Sequence, residues 1–415
     1  MVVLLALASL AQPVVEAVTT DRAHYVEGAV TASRPLVAAT TAVTNAVIPL
    51  VAIVALLSAM LWSRIDAVAL SVVALPSIVI VADEFVHDRP LGPALLVPAL
   101  AGVLVITQRV KFGDLVVVGR IGAIVAAASV IGMVLDPERV LMSAGLAHAE
   151  KSITGAPLLA GIFSHSNTFG LFLTASLPLV FLEKGFVVRW ALVVPIAWAL
   201  VLSSSRTALF GACVVLVAIL LGRMLPRIAF RVVLPAGLIV AAGFVARIPF
   251  GETDPAAYTY RGEIWMYNID LLQGNALWGR GVYFYADHYA ELSRALSTAA
   301  SHAHNTLLTL LVTGGAVTVA AVLVVLVFSW RGADRLGDRR QLFVAGAFLL
   351  GMLVLCATET TLRLTGWGPL SACFVVPLFV LVGEATAVRA TSLVDPGGDA
   401  FTAARSPWST ADRLD

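Results

Sequence analysis

The sequence predicts an all-α, polytopic integral membrane protein with about twelve transmembrane helices. Hydrophobic residues make up 59% of the 415 residues and charged residues only 13%, and the mean hydropathy is +0.93. A soluble domain is about half apolar and about a quarter charged, so this composition excludes a soluble globular protein. The apolar residues form continuous runs rather than the alternating segments of a membrane barrel, and backbone groups in lipid then require helices.

Each predicted span is an apolar run close to the roughly 20 residues that a bilayer core requires. The first span is the weakest, because Pro13 and Glu16 interrupt it. In chain order the predicted spans are residues 2–18, 36–61, 66–82, 91–107, 114–135, 166–182, 188–204, 207–222, 231–248, 306–329, 341–357 and 366–386.

Short basic loops orient the predicted spans, because Lys and Arg accumulate on the cytoplasmic side. One such loop contains Arg223 and Arg227, and a second runs from Arg331 to Arg340. Placing both inside makes both termini cytoplasmic and leaves the long segment 249–305, between the ninth and tenth spans, outside. We predict one transmembrane domain over residues 1–386, with segment 249–305 as a lid over the site. Residues 387–415 are predicted to be a flexible cytoplasmic tail.

Charge and cysteine content exclude several classes of protein. The net charge is +1, which predicts no nucleic-acid partner. The three cysteines lie in or beside apolar runs, so we expect neither a disulfide framework nor a metal cluster. The N-terminal residues lack the basic start of a signal peptide. No metal or other cofactor is predicted.

Two polar stretches lie where predicted spans meet the outer surface. His165 and Asn167 lie at the start of the sixth span within the stretch 161–170, and they could cap that helix or contact a substrate. Arg206 follows three serines between the seventh and eighth spans. It could be an arginine whose charge reaches the interface, but its polar neighbours favour a site, because ionisable residues are costly in the hydrocarbon.

The long external segment contains the third group of candidates. Arg261 and Arg280 offer planar forks of donors that match phosphate oxygens. Trp265 could pack against a sugar ring or lie in an interfacial aromatic belt. Gly279 and Gly281 flank Arg280 and permit close approach of the backbone to a ligand. The alternative is a surface lid with scattered charges.

The fourth group, His302, His304 and Asn305, immediately precedes the tenth span. These residues could cap the helix, or a histidine could orient or deprotonate a substrate, since imidazole titrates near physiological pH. A metal site is disfavoured because two imidazoles are too few ligands.

The predicted topology brings candidates from distant parts of the chain to one membrane surface: Arg206, Arg261, His302 and His304. A cluster of cations there indicates an anionic substrate, such as a phosphate or pyrophosphate joined to a lipid. Arginines nearby would disfavour a charged imidazolium, and a neutral histidine can act as a general base.

The chain resembles the superfamily of O-antigen ligases and O-antigen polymerases. The resemblance covers roughly residues 150–320 and rests on four motifs in order: Gly161-x-Phe163-x-His165-x-Asn167-x-x-Gly170, Ser204-Ser205-Arg206-Thr207, Arg261 with Gly279-x-Gly281, and His304-Asn305 followed by Gly315. Two positions depart from the family pattern. Ser166 and Ala276 stand where proline is frequent, and both changes concern the rigidity of loops.

The resemblance implies a metal-independent, inverting glycosyltransferase of the membrane-embedded C type in the cytoplasmic membrane. Such an enzyme takes a glycan from an undecaprenyl pyrophosphate donor and transfers it to a glycan, lipid or protein acceptor on the outer face. By the same resemblance, Arg206 and Arg261 hold the pyrophosphate and His304 activates the acceptor hydroxyl. His165, Asn167, Arg280, Trp265, His302 and Asn305 are candidate substrate-binding residues. Envelope polysaccharide assembly proteins are possible partners.

The sequence does not separate a ligase from a polymerase. Its preference for Arg over Lys, with many Ala and Val residues, indicates a GC-rich genome, which slightly favours an exopolysaccharide or capsule polymerase. A second class of function, a transporter or a flippase of lipid-linked glycans, predicts ionisable residues deep within spans, and few are present. A third class, a non-enzymatic scaffold, does not account for cations and histidines gathered on one face.

Overall fold

A computed structural model describes residues 1–19, 35–61, 65–142, 152–296, 301–362 and 364–387. Within these ranges the chain is helical, and its only extended pairing is a bridge between Leu141 and Leu159. The predicted tail, apart from Ala387, lies outside the described residues, so its prediction is not tested.

Ten described helices precede the long segment predicted to be external, and all except the short helix between the fifth and sixth predicted spans follow predicted spans to within a few residues. They are α1 (Val2–Thr19), α2 (Pro35–Leu61), α3 (Ala67–Val86), α4 (Val97–Thr107), α5 (Val116–Leu135), α6 (Pro137–Val140), α7 (Ser166–Val180), α8 (Phe186–Ser203), α9 (Arg206–Met224) and α10 (Arg227–Gly251). Short 3-10 turns, Pro93–Leu96 and Phe112–Leu115, extend α4 and α5 at their starts.

Six further helices complete the described chain: α11 (Ala257–Asp270), α12 (Phe284–Asp287), α13 (Tyr289–Ala295), α14 (Thr306–Arg335), α15 (Arg339–Cys356) and α16 (Ser371–Thr386). Nine helices among the described residues are long and apolar enough to cross a membrane. Three shorter apolar helices, at Pro93–Thr107, Ser166–Val180 and Ser371–Thr386, occupy the other predicted positions. A polytopic, all-helical membrane protein is confirmed by these helices.

Close contact between α9 and α15 depends on small residues. A methyl group on Gly222 would lie 2.1 Å from Phe343 Cβ, and one on Gly351 would lie 2.5 Å from Val215 Cγ2. Helices in lipid associate largely through such close packing, because no hydrophobic effect drives them together. Arg206 begins α9 and Glu359 follows α15, so this contact brings the two ends together on one side of the bundle.

Part of the segment predicted to be an external lid, residues 271–282, runs alongside α14. Helix α14 is broken at Gly315, which has φ +63° and ψ −168°. The freed backbone groups pair with the segment: Arg280 N donates to Val312 O at 2.7 Å and Ala316 N donates to Ala276 O at 2.9 Å. Gly315 lies roughly 13 Å along the helix axis from Thr306. Irregular backbone at this depth is tolerated because protein satisfies its hydrogen bonds.

We expect Gly315→Ala to destabilise the protein by about 2–3 kcal/mol, because the glycine conformation is nearly inaccessible to other residues. An added Cβ would also lie 2.1 Å from Leu277 O. Thermal unfolding in detergent measures the change. Gly243→Ala is the matched control, because Gly243 lies within α10 with no atom within 4 Å of an added Cβ. Equal melting temperatures for the two variants would contradict the proposed constraint.

Arginines at the other side of the bundle bind the carbonyl groups that end helices. Arg339 Nη2 donates to Arg223 O and Leu225 O, both at 2.8 Å, at the end of α9. Arg227 and Arg231 donate to Leu336 O and Asp334 O at the end of α14. The last carbonyls of a helix have no partner within it and carry partial negative charge. The basic loops therefore also terminate helices.

Candidate active site

Glu359 lies at the centre of a cluster of polar side chains from distant parts of the chain. It follows α15, and its side chain is only 6% exposed. Arg261 Nη2 donates to Glu359 Oε1 at 2.6 Å, and Asn167 Nδ2 donates to the same oxygen at 3.3 Å. His304 Nδ1 lies 3.7 Å from Glu359 Oε2. One carboxylate thus joins three of the side chains that the sequence predicted to form the site.

The charge on Glu359 is stabilised by its neighbours. Burial alone would raise its pKa, but the positive charge and hydrogen bond of Arg261, with the adjacent His304 imidazole, outweigh burial and hold the pKa at about 2. The carboxylate is therefore ionised at physiological pH. A buried charge is tolerated only when it is paired and hydrogen-bonded, and Arg261 supplies the partner. The same guanidinium also donates to Thr358 O from Nη1.

Hydroxyl groups attach the Glu359 segment to the helices around it. Thr207 Oγ1 and Thr358 Oγ1 are 2.8 Å apart, which connects the start of α9 to the residue before Glu359. Thr306 Oγ1 donates to Glu359 O at 2.8 Å, from the first turn of α14. These bonds hold the carboxylate at the junction of α9, α14 and α15.

Arg206 is exposed and begins α9 beside this junction. Ser204, in the left-handed region with φ +50°, ends α8 and reverses the chain. No carboxylate in the described part of the chain lies within salt-bridge distance of Arg206. Its neighbour Thr207 binds Thr358, so the Arg206 backbone is held near Glu359. An exposed guanidinium without an acidic partner can bind an anionic group of a ligand.

A turn with a strained backbone positions Arg261 beside Glu359. Tyr258, Thr259 and Tyr260 are all left-handed, with φ of 53°, 62° and 64°. Left-handed helical geometry costs L-residues roughly 1–2 kcal/mol each, and such strain is concentrated at functional sites. Gly262 permits the turn, since an added Cβ would lie 2.0 Å from Asp254 O.

The segment that carries His304 also has a strained backbone, with φ +47° at His304. The rings of His302 and His304 meet edge to face with centroids 4.2 Å apart, and His304 N donates to His302 Nδ1 at 3.1 Å. Trp265 binds the backbone next to His304, because its indole Nε1 donates to Ala303 O at 2.9 Å. Trp265 has no exposed surface. The described residues include no group of three or more His, Cys, Asp or Glu that could hold a metal ion.

Both helix-capping alternatives of the sequence are present, together with additional contacts. His165 Nδ1 accepts from Asn167 N at 3.0 Å at the start of α7, while the Asn167 side chain reaches Glu359. Asn305 Oδ1 accepts from Leu308 N at 2.9 Å at the start of α14. The Asn305 amide also donates to Val245 O and Ala357 O, each at 2.9 Å. Asn305 thereby joins three segments and is fully buried.

Arg280 is not brought to Glu359. Its Nε donates to Leu271 O at 3.1 Å, within its own segment. The adjacent Gly279 packs against the break in α14, where an added Cβ would lie 2.7 Å from Val312 O and 2.8 Å from Gly315 N. Gly279 therefore allows the backbones of this segment and α14 to approach each other. Gly279 and Gly315, predicted in separate motifs, form one contact.

An apolar groove leads from the cluster into the bundle. It has a volume of about 410 Å³ and lies among α10, α14 and α15. Its walls reach from Thr306 and Val245, next to the Glu359 cluster, to Trp330, which is roughly 35 Å along α14. The residues between are almost all aliphatic and include Leu310, Leu323, Leu353 and Leu362.

Sequence reasoning missed Glu359. A signal was present, because Glu359 is the one acid in a short run of threonines at the end of an apolar span, and ionisable residues at such a boundary are functional candidates.

Comparison with known proteins supports one family. Residues 191–323 match the family model for O-antigen ligase, Wzy_C. The matched region contains Arg206, Arg261 and His304, and it confirms the resemblance that the four motifs indicate. It also supports a role in surface polysaccharide assembly and a multi-pass membrane location. No curated protein gives a significant match to the chain. His165, Asn167 and Glu359 lie outside the matched region.

Proposed function

We propose that this protein is a membrane glycosyltransferase of the C type that assembles surface polysaccharide. It transfers a glycan from an undecaprenyl-pyrophosphate-linked donor to an acceptor hydroxyl on the outer face of the cytoplasmic membrane. Both termini are cytoplasmic in this proposal, and the 249–305 segment lies outside. The observation that carries the proposal is the convergence of Arg261, His304 and Asn167 on one buried carboxylate beside the exposed Arg206.

The proposed reaction needs one base and a stabilised leaving group. The acceptor oxygen attacks the anomeric carbon of the donor glycan, and the bond from that carbon to the pyrophosphate oxygen breaks with inversion. His304 takes the hydroxyl proton as the new glycosidic bond forms. Arg206 stabilises the charge that develops on the departing lipid pyrophosphate, together with Arg261. The reaction then needs no metal ion or other cofactor.

Glu359 has a positioning role in this proposal. Its carboxylate binds Arg261 and lies beside His304, so it sets the distance between the base and one of the phosphate-binding cations. It also favours the imidazolium that forms when His304 accepts a proton, as the carboxylate behind a catalytic histidine does in hydrolases.

The apolar groove supports a lipid-linked donor. A polyprenyl chain needs an apolar surface along the membrane depth. The groove, which has a volume of about 410 Å³ and begins beside Thr306, offers such a surface. A phosphate joined to such a chain would lie at the level of Arg206. The exposed arginine and the aliphatic groove therefore match the two chemically different parts of one donor.

The test is transfer by the purified protein from a lipid-linked oligosaccharide in the presence of EDTA. Arg206→Ala should reduce the rate about 100-fold, because each donor that stabilises developing charge contributes roughly that much. Arg206 is exposed, so its removal should leave the protein folded. Products are followed by gel electrophoresis and mass spectrometry. A ladder of lipid-linked repeats identifies a polymerase, and a single transfer to an added acceptor identifies a ligase.

Arg294→Ala is the matched control, because Arg294 is an exposed arginine of α13 on the same proposed outer side. It should retain wild-type activity. Full activity of Arg206→Ala would contradict the role of Arg206. Absence of transfer, together with movement of lipid-linked glycan across vesicles that contain the protein, would instead support a flippase.

A further inference from the structure

Two arginines meet at one carbonyl group on the side of the bundle opposite Glu359. Arg189 Nη2 donates to Glu183 O at 2.7 Å, and Arg340 Nη1 donates to the same oxygen at 3.2 Å. Arg189 lies in the first turn of α8 and Arg340 in the first turn of α15. Those two helices carry Ser203 and Cys356, at their other ends, towards the Glu359 cluster. The two guanidinium groups are therefore close to each other on the far side of the membrane-spanning region.

No carboxylate among the residues that the structure describes forms a salt bridge with either guanidinium. Glu183 attracts Arg189 electrostatically, but its carboxylate binds Arg120, with Arg120 Nε 3.0 Å from Oε2. Arg340 also occupies the positive end of α15, where a cation is unfavourable. A single carbonyl cannot neutralise two guanidinium charges. The arrangement thus favours an anion that bridges them.

The surroundings indicate that this anion belongs to a lipid. Phe186 and Val187, next to Arg189, are 70% and 77% exposed, and Trp190 is 43% exposed. The Trp190 ring contacts the edge of Phe186 at a centroid distance of 6.2 Å. Tryptophan at the end of a span is typical of the level of the lipid headgroups. Acyl chains could lie on this apolar surface while the phosphate reaches the arginines.

We propose that Arg189 and Arg340, with the exposed Lys184 beside them, bind the phosphate of an anionic phospholipid. The planar guanidinium matches two phosphate oxygens at once, and basic pockets between helices on the cytoplasmic side are suited to such headgroups. The bound lipid would bridge α8 and α15, the helices whose opposite ends frame the candidate active site. This lipid is a structural ligand and not the glycan donor, so the site is independent of the proposed function.

The experiment measures phospholipid binding to the full-length, delipidated protein by native mass spectrometry. Phosphatidylglycerol should bind more tightly than phosphatidylcholine. Arg340→Gln should weaken phosphatidylglycerol binding roughly tenfold, since one charge-assisted contact to phosphate is lost. Lys184→Gln, an exposed position that supports no helix, should weaken it in the same direction. Arg340 is changed rather than Arg189, because Arg189 is buried and also donates to Lys184 O.

Arg231→Gln is the matched control, because it removes the same charge from the same side of the bundle. Arg231 Nε lies 2.9 Å from Asp334 Oδ1, so its charge is already neutralised. Its affinity for phosphatidylglycerol should equal that of the wild type. Equal affinity of Arg340→Gln and the wild type, or equal losses in Arg340→Gln and Arg231→Gln, would overturn the proposal. Displacement of the lipid by an excess of inorganic phosphate would assign the site to free phosphate instead.

Discussion

His304→Asn is expected to reduce glycan transfer about a thousandfold while the protein remains folded, which is the middle of the range for loss of a general base. Asparagine is the informative replacement because His304 has φ +47°, and asparagine tolerates this left-handed backbone better than other residues without a base. The Trp265 bond to Ala303 O should also survive. The rate is measured under conditions in which the donor is saturating.

A control variant separates the role of His304 from a general effect of losing an imidazole. His288 lies between α12 and α13, stacks on Phe284 with centroids 4.7 Å apart and does not contact Glu359. His288→Asn should retain wild-type activity. If His304→Asn kept most of its activity, or if both variants lost the same amount, His304 would not be the base.

Glu359→Gln is expected to reduce transfer about 100-fold, by analogy with the upper part of the range for loss of a carboxylate that orients a metal-binding histidine. Glutamine keeps the shape of the side chain and can still accept from Arg261. It loses the charge that pairs with Arg261 and lies beside His304. We therefore expect a larger effect on kcat than on the KM for the donor.

The pH dependence of the Glu359 effect follows from the direction of its pKa shift. The folded protein holds the pKa at about 2, below the usual value for glutamate of 4.5. Ionised Glu359 therefore stabilises the fold above its unfolded pKa, and this contribution is lost as the pH falls towards 2. Between pH 5 and 9 the carboxylate stays ionised. The defect of Glu359→Gln should accordingly persist across that range.

Asp287→Asn is the matched control for Glu359→Gln, because Asp287 also pairs with an arginine on the same proposed outer side. Asp287 Oδ2 lies 2.5 Å from Arg89 Nη1, but the Asp287 side chain is 48% exposed. An exposed ion pair contributes little, about 0–1 kcal/mol. Its loss should change activity only slightly. Comparable defects in the two variants would show that Glu359 has no special role.

Much of the site could be predicted from the sequence, because its residue types stand out in an apolar chain. Arg206 and His304 lie at the ends of long apolar runs, where loss of hydration makes polar residues costly, and Arg261 lies in the one long polar segment between spans. Their family resemblance is confirmed by the match over residues 191–323. The roles assigned to them remain predictions that the variants above will test.

Other residues could not be distinguished by type alone. Trp265 and Arg280 had the side chains expected of ligand-binding residues, but Trp265 is buried beneath Ala303 and Arg280 binds Leu271 O. Whether an aromatic or a guanidinium faces a ligand depends on how its segment packs. The left-handed turn at Tyr258–Tyr260 could not be predicted from the sequence either, because it contains no glycine or asparagine.

The sequence by itself determined the class of protein, the approximate position of each span and the side of the bundle on which the polar motifs lie together. These properties depend on local hydropathy, because each helix is stabilised in the bilayer by its own run of apolar residues. Only the tertiary structure decided that Glu359 joins Arg261 and His304, because the three residues are far apart in the chain. Their contact arises from the packing of α9, α14 and α15, where the burial of one carboxylate requires a cation beside it.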